Sequence, residues 1–117
     1  MMDAGRGQVY LAYYRCGNDR VLHSVGAPQA QDPRSVEDPF SEPVIYVGDG
    51  AVRYAGLIPP LSSPKNKMAP ADRQFISAAA VARLAMEKYF HRDLLDPVRC
   101  APLYLRSVDA LPAAGGG

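Results

Sequence analysis

The chain has 117 residues, 48% of them hydrophobic, and a formal net charge of +1. That length provides for one small domain with one core, and so small a charge leaves no strong field to steer nucleic acid. No apolar run approaches the roughly 20 residues that span a bilayer, and the N-terminus lacks the basic start and apolar stretch of a signal peptide, so the expectation is a soluble cytoplasmic protein without membrane contact.

In chain order, Gly7 to Cys16 reads as a strand. Val9, Leu11 and Tyr13 alternate with Tyr10, Ala12 and Tyr14, and β-branched and aromatic residues suit a pleated surface. Both faces are apolar, which predicts cover on both sides. "CGND" (Cys16 to Asp19) supplies a turn, and Arg20 to Val25 returns as the second strand of a hairpin. Asp32 and Pro33 fit the cap and first position of a short helix, ended by Pro39. Val44 to Val47 is a compact strand closed by Gly48 and Gly50, and a helical turn follows through Tyr54. Pro59 to Pro70 is a loop by composition.

Ala71 to Arg92 is the longest predicted helix. Phe75, Ala79, Ala82, Met86 and Tyr89 recur at steps of three and four, and Ile76, Ala80 and Leu84 widen that face. "LYLR", Leu103 to Arg106, is a last short strand, and the tail from 111 to 117 has nothing to bury. The order suggests an α/β fold, a mixed sheet with packed helices. The predicted core is Val9, Leu11, Val44, Ile45, Val47, Phe75, Ile76, Ala79, Leu84 and Leu103, with Tyr104 on the last strand beside the first or third.

Little in this sequence points to chemistry. A phosphate cradle needs consecutive backbone N–H groups at a helix N-terminus. Gly5 and Gly7 lead instead into a strand, with no Lys-Ser or Lys-Thr after them, so the opening reads as a tight turn with Asp3 solvated or capping local amides. His23, His91, Cys16 and Cys100 lack the paired spacing of a zinc site. The cysteines read as free thiols, and His91 as a favourable charge at a helix C-terminus. Cys16 and His23 stand across the predicted turn, a weak nucleophile–base signal. Glu37–Asp38 and Asp93–Asp96 read as surface charge. Lys65, Lys67 and Arg73 form a small basic cluster, a solvated face or at most a minor RNA contact. No catalytic, cofactor-binding or metal residue is therefore assigned.

Four segments, in order, carry a resemblance. "DAGRGQVYLAYYR" (Asp3 to Arg15) resembles the stretch that opens the second lobe of the TsaB (YeaZ) family. "VIYVGDGA" is similar to its strand and turn, "AAAVARLAMEKYF" to its final long helix, and "DPVRCAPLYLRSVDA" to its C-terminal strand. The resemblance implies the C-terminal ribonuclease-H-like lobe of an actin-like (Hsp70-like) ATPase superfold over residues 1–110, half of a two-lobed protein, with a disordered tail over 111–117. It implies a non-catalytic scaffold that supports TsaD, together with the ATPase TsaE, in making N6-threonylcarbamoyladenosine in tRNA. The nucleotide site would be lost, no cofactor used and tRNA met only indirectly. An isolated lobe exposes the face meant for its missing half, so a homodimer is expected. The competing classes are a small hydrolase or peptidase built on Cys16 and His23, and an independent protein- or RNA-binding domain.

Overall fold

The computed structural model describes residues 1–105. Its first unit is an antiparallel sheet of three strands, β1 (Met2–Gly5), β2 (Gln8–Cys16) and β3 (Leu22–Gln31), in the order β1-β2-β3. A second, two-stranded parallel sheet pairs β4 (Ile45–Tyr46) with β5 (Lys67–Met68). Helix α1 (Asp49–Arg53) follows β4 and packs on β1, and helix α2 (Ala78–Phe90) closes the described chain. The domain is a small mixed α/β fold.

The hairpin forms where the sequence predicts it, with two differences. Residues Met2–Gly5, read as loop, pair with β2 through Met2↔Tyr10 and Asp3↔Val9, so the glycines close a hairpin rather than open a strand. The return strand also runs on to Gln31, past Pro28. A proline lacks the N–H for a ladder bond and is tolerated on an edge strand, which is where β3 lies.

Asp32 caps a 3₁₀ turn at Pro33–Ser35 by accepting from the Arg34 amide at 2.8 Å. Asp38 repeats the device, accepting from the Phe40 amide at 3.1 Å. Strand β4 and helix α1 lie inside their predicted spans. The loop from Pro59 to Pro70 is more ordered than its composition suggests, holding a 3₁₀ turn at Pro59–Ser62 and strand β5.

The core is small: Val9, Leu11, Val36, Tyr46, Ala51 and Ile58. Val9 and Leu11 lie where the alternation places them. The opposite face of β2 is not covered as expected, since Tyr10 and Ala12 are half-buried and Tyr14 is exposed. Most of the remaining expected core is at the surface: Ile45, Val47, Phe75, Ile76, Ala79, Leu84 and Leu103 are all exposed, and Val44 is half-buried. One cause is common to the residues after 74. The predicted helix from Ala71 to Arg92 breaks into a 3₁₀ turn at Ala71–Arg73 and α2, which Ser77 caps by accepting from the Ala80 amide at 3.3 Å. No residue of α2 is buried, so its apolar stripe meets no other layer among the described residues. The expected strand at Leu103 to Arg106 does not form over the described residues, where Leu103 and Tyr104 are exposed. Arg106 and the expected tail over 111–117 lie outside the described residues.

Gln74 accounts for the break. It is 5% exposed; its amide oxygen accepts from the Gly48 N–H at 2.8 Å and its amide nitrogen donates to the Ala69 carbonyl at 2.5 Å. A buried side chain fixed at both ends holds the backbone at residue 74 against the turn after β4. Replacing Gln74 by Ala removes both bonds and strands the Gly48 N–H, at a cost of about 1–3 kcal/mol. The denaturant midpoint of Gln74→Ala should fall accordingly, whereas an unchanged midpoint would show that the amide is dispensable.

Candidate functional site

Two polar clusters organise the surface around the core. The first lies where the opening segment meets α1. The Asp3 amide donates to Asp49 Oδ1 at 3.2 Å, the Arg53 guanidinium pairs with Asp3 Oδ2 at 2.8 Å and the Tyr54 hydroxyl donates to Asp3 Oδ1 at 3.2 Å. Asp3 Oδ1 also accepts the Gly5 amide at 2.9 Å. That amide bond, aided by Tyr54 and Arg53 and opposed by desolvation, holds the Asp3 carboxyl below the usual carboxylate range.

This geometry bears on a phosphate cradle at the opening glycines. Gly5, Arg6 and Gly7 all take positive φ, at 70°, 53° and 74°, and the loop closes β1 onto β2. The Gly5 amide, which an anion would need, is already taken by a carboxylate. The first turn of α1 likewise carries its own anion, with Asp49 Oδ1 accepting from Gly50 N at 2.9 Å. A second negative group at either place would meet repulsion. Of the two readings of Asp3, capping of local amides is the observed one.

The second cluster surrounds Asp38. Asn66, 7% exposed, accepts the Val44 amide at 2.9 Å and donates to Asp38 Oδ2 at 2.8 Å and the Pro60 carbonyl at 3.0 Å. The Lys65 ammonium contacts Asp38 at 3.1 Å and donates to the Phe40 carbonyl at 2.7 Å. Tyr13 donates its hydroxyl to the Glu37 carbonyl and packs edge-on against Phe40, with ring centroids 5.4 Å apart. Asp38, expected as surface charge, is thus a member of a half-buried network that staples the 37–43 loop. The hydrogen bond from Asn66, opposed by desolvation and aided by Lys65 and the Phe40 amide, holds its carboxyl below the ordinary range. Tyr46 lies close by with its hydroxyl buried and without a hydrogen-bond partner among the described residues. Burial, and then the proximity of Tyr13 and Asp38, raises the pKa of its hydroxyl well above the usual phenol value.

The other candidates do not converge. Cys16 pairs with Leu22 and His23 with Arg15. Successive residues of a strand face opposite sides, so the thiol and the imidazole are on opposite faces of the sheet. His23 contacts Asp19 at 3.1 Å. Cys16 and Cys100 are free and exposed. His91 forms the C-terminal cap of α2 through its backbone. The basic cluster is divided: Lys65 is engaged by Asp38, Arg73 contacts Asp72 at 3.3 Å, and Lys67 sits on β5. Glu37 supplies a backbone acceptor rather than a carboxylate. Asp93 pairs with Lys88 at 2.6 Å and Asp96 lies 3.8 Å from Arg99. Among the described residues no group of three or more His, Cys, Asp or Glu is placed to hold a metal ion, and no helix is long and apolar enough to cross a membrane.

Asn66, Gln74 and Tyr46 were not singled out from the sequence. The two amides stand in polar stretches that carry no periodic signal. Asp38 did carry one, since "DPF" repeats the Asp-Pro pattern recognised at "DPR". The chain matches no family model and no curated protein among those searched.

A carboxylate with a depressed folded-state pKa contributes stability above its unfolded value, about 3.9, and loses it as pH falls through the folded value. Asp38→Asn should therefore lower the denaturant midpoint at pH 7, and the gap to the unmutated protein should begin to narrow as pH falls below about 4. A gap that persists unchanged at pH 3 would remove Asp38 ionisation from the network's stabilisation.

Proposed function

We propose that this chain is the C-terminal, ribonuclease-H-like lobe of a TsaB-type subunit, a non-catalytic scaffold supporting TsaD and, through it, TsaE in the threonylcarbamoylation of tRNA. The observation that carries the reading is the contact between two of the segments that resemble that family. Asp3 of "DAGRGQVYLAYYR" binds Asp49 of "VIYVGDGA" and the Arg53 and Tyr54 that follow it. Segments 46 to 51 residues apart are thereby joined by polar bonds within the chain. In a scaffold these residues keep shape rather than turn over a reactant.

A second observation supports a binding role over a catalytic one. Val81, Met86 and Tyr89 on α2 are 54%, 53% and 62% exposed, and with Ala78, Ala82 and Ala85 they form one stripe at helical spacing. An uncovered apolar stripe of this kind marks a surface for a partner, here the other lobe, a second copy of the chain or TsaD. That same surface is what an independent protein-binding domain would use, and TsaD binding separates the two.

The test is a pull-down of TsaD with this chain, alone and joined to the first lobe of a TsaB protein. The scaffold reading expects TsaD to be retained by the two-lobed protein, and retention to fall when Ala82→Glu interrupts the α2 stripe. No retention by the two-lobed protein would reject the TsaB reading and leave the independent binding domain.

A further inference from the structure

Strands β2 and β3 pair through Val9↔Gln31, Leu11↔Gln29 and Tyr13↔Val25. Directly paired residues of an antiparallel ladder share a face, so an apolar row on β2 runs beside two glutamines on β3. The segment after the Asp32 cap lies over the same face, where Val36 is 2% exposed and joins Val9 and Leu11 in the core. Between that segment and β3 is a groove of about 450 Å³, floored by Leu11, Tyr13 and Val25 and rimmed by Gln29, Gln31, Ser35 and Glu37.

The rim is held in place. Glu37 stands between the buried Val36 and Asp38, which Asn66 and Lys65 engage, and its carbonyl accepts the Tyr13 hydroxyl. Ser35 ends the 3₁₀ turn that Asp32 caps. The side-chain polar groups are left open: among the described residues, the Glu37 carboxylate, the Gln29 and Gln31 amides and the Ser35 hydroxyl make no hydrogen bond. That sets Glu37 apart. Every described aspartate is engaged by a cation or an amide, and Glu42 by Arg15. Among the described residues only Glu87, on α2, shares the unpaired state of Glu37. No cationic side chain lines the groove.

A carboxylate, two amide oxygens and a hydroxyl form a set rich in acceptors, which suits a cation that only donates. An ammonium has three donors and is strongly hydrated, so a half-open groove gives it little reason to leave water. A guanidinium has five donors in one plane, matches a carboxylate with two parallel bonds, is weakly hydrated and stacks on aromatic surface. We propose that the groove binds an alkylguanidinium group. The guanidinium sits on the Glu37 carboxylate, its remaining N–H groups donate to Gln29, Gln31 and Ser35, and its alkyl stem lies over Leu11, Tyr13 and Val25. The group is that of an arginine, free or carried on a polypeptide. This inference stands on the groove and holds whether or not TsaD is the protein's partner.

The test is a titration of the full chain, labelled with nitrogen-15, with N-acetyl-arginine amide, followed by the backbone amide resonances. Saturable shifts are expected at Gln29, Gln31, Ser35 and Glu37, with a Kd on the order of 1 mM for so small a ligand. N-acetyl-citrulline amide, whose urea is neutral, should bind at least about tenfold more weakly. Glu37→Gln, which keeps the backbone carbonyl that Tyr13 uses, should lose the same factor with the denaturant midpoint unchanged. Free arginine separates the two sources: tighter binding of free arginine than of the capped form assigns a small molecule, and equal or weaker binding assigns an arginine side chain of a polypeptide. Absent shifts, shifts centred elsewhere, equal binding of the citrulline compound, or undiminished binding to Glu37→Gln would each overturn the proposal.

Discussion

The seating of β1 against the turn after β4 is the constraint on which the rest of the structure depends. A Cβ at Gly48 would stand 1.8 Å from the Met1 carbonyl oxygen, and one at Gly50 would stand 2.6 Å from the Met2 carbonyl carbon. Gly48 also holds a φ of 113°, which L side chains rarely adopt. With that close approach secured, Asp3 reaches Asp49, Arg53 and Tyr54. The two sheets share no strand pairing of their own, so this joint and the small core beneath it hold them together.

The core is modest for the chain's length, and polar groups supply much of the remaining organisation. Asn66 makes three hydrogen bonds, Gln74 two, and each ties a loop to a strand or turn. Buried amides of this kind stabilise only when satisfied, because an orphaned donor or acceptor costs more than a bond yields. The loops from Phe40 to Val44 and from Pro59 to Gln74 are therefore as specific as the strands. Among the described residues beyond Gln74 no such anchor to the body is present, and the apolar residues of α2 are exposed.

The hairpin, the Asp32 cap and α1 were legible in the sequence because each rests on local signals: alternation, an Asp-Pro pair, a glycine-flanked turn. Val9 and Leu11 were legible as core for the same reason. The exposure of Ile45, Phe75, Ile76 and Leu84 was not, since periodicity says which face of an element is apolar but not whether another layer covers it. The division of the long helix was hidden because Gln74 acts through tertiary hydrogen bonds, and a glutamine is unremarkable in a helical stretch. Strand β1 was missed because the Gly5-Arg6-Gly7 turn reads equally well as the entrance to one strand or the tip of a hairpin. Of the polar clusters, Asp3 was half-read as a local cap, whereas its contacts with Asp49, Arg53 and Tyr54 span some fifty residues and leave no trace in spacing.

Amide hydrogen exchange on Gly48→Ala tests the joint most directly. The account predicts that protection falls together at Tyr10 and Leu11 in β2, at Ile45 to Val47 around β4, and at Lys67 to Ala69 around β5, because the added methyl unseats β1 from the turn and frees both sheets at once. Loss confined to the turn and α1, with the strand amides of both sheets as protected as before, would contradict it.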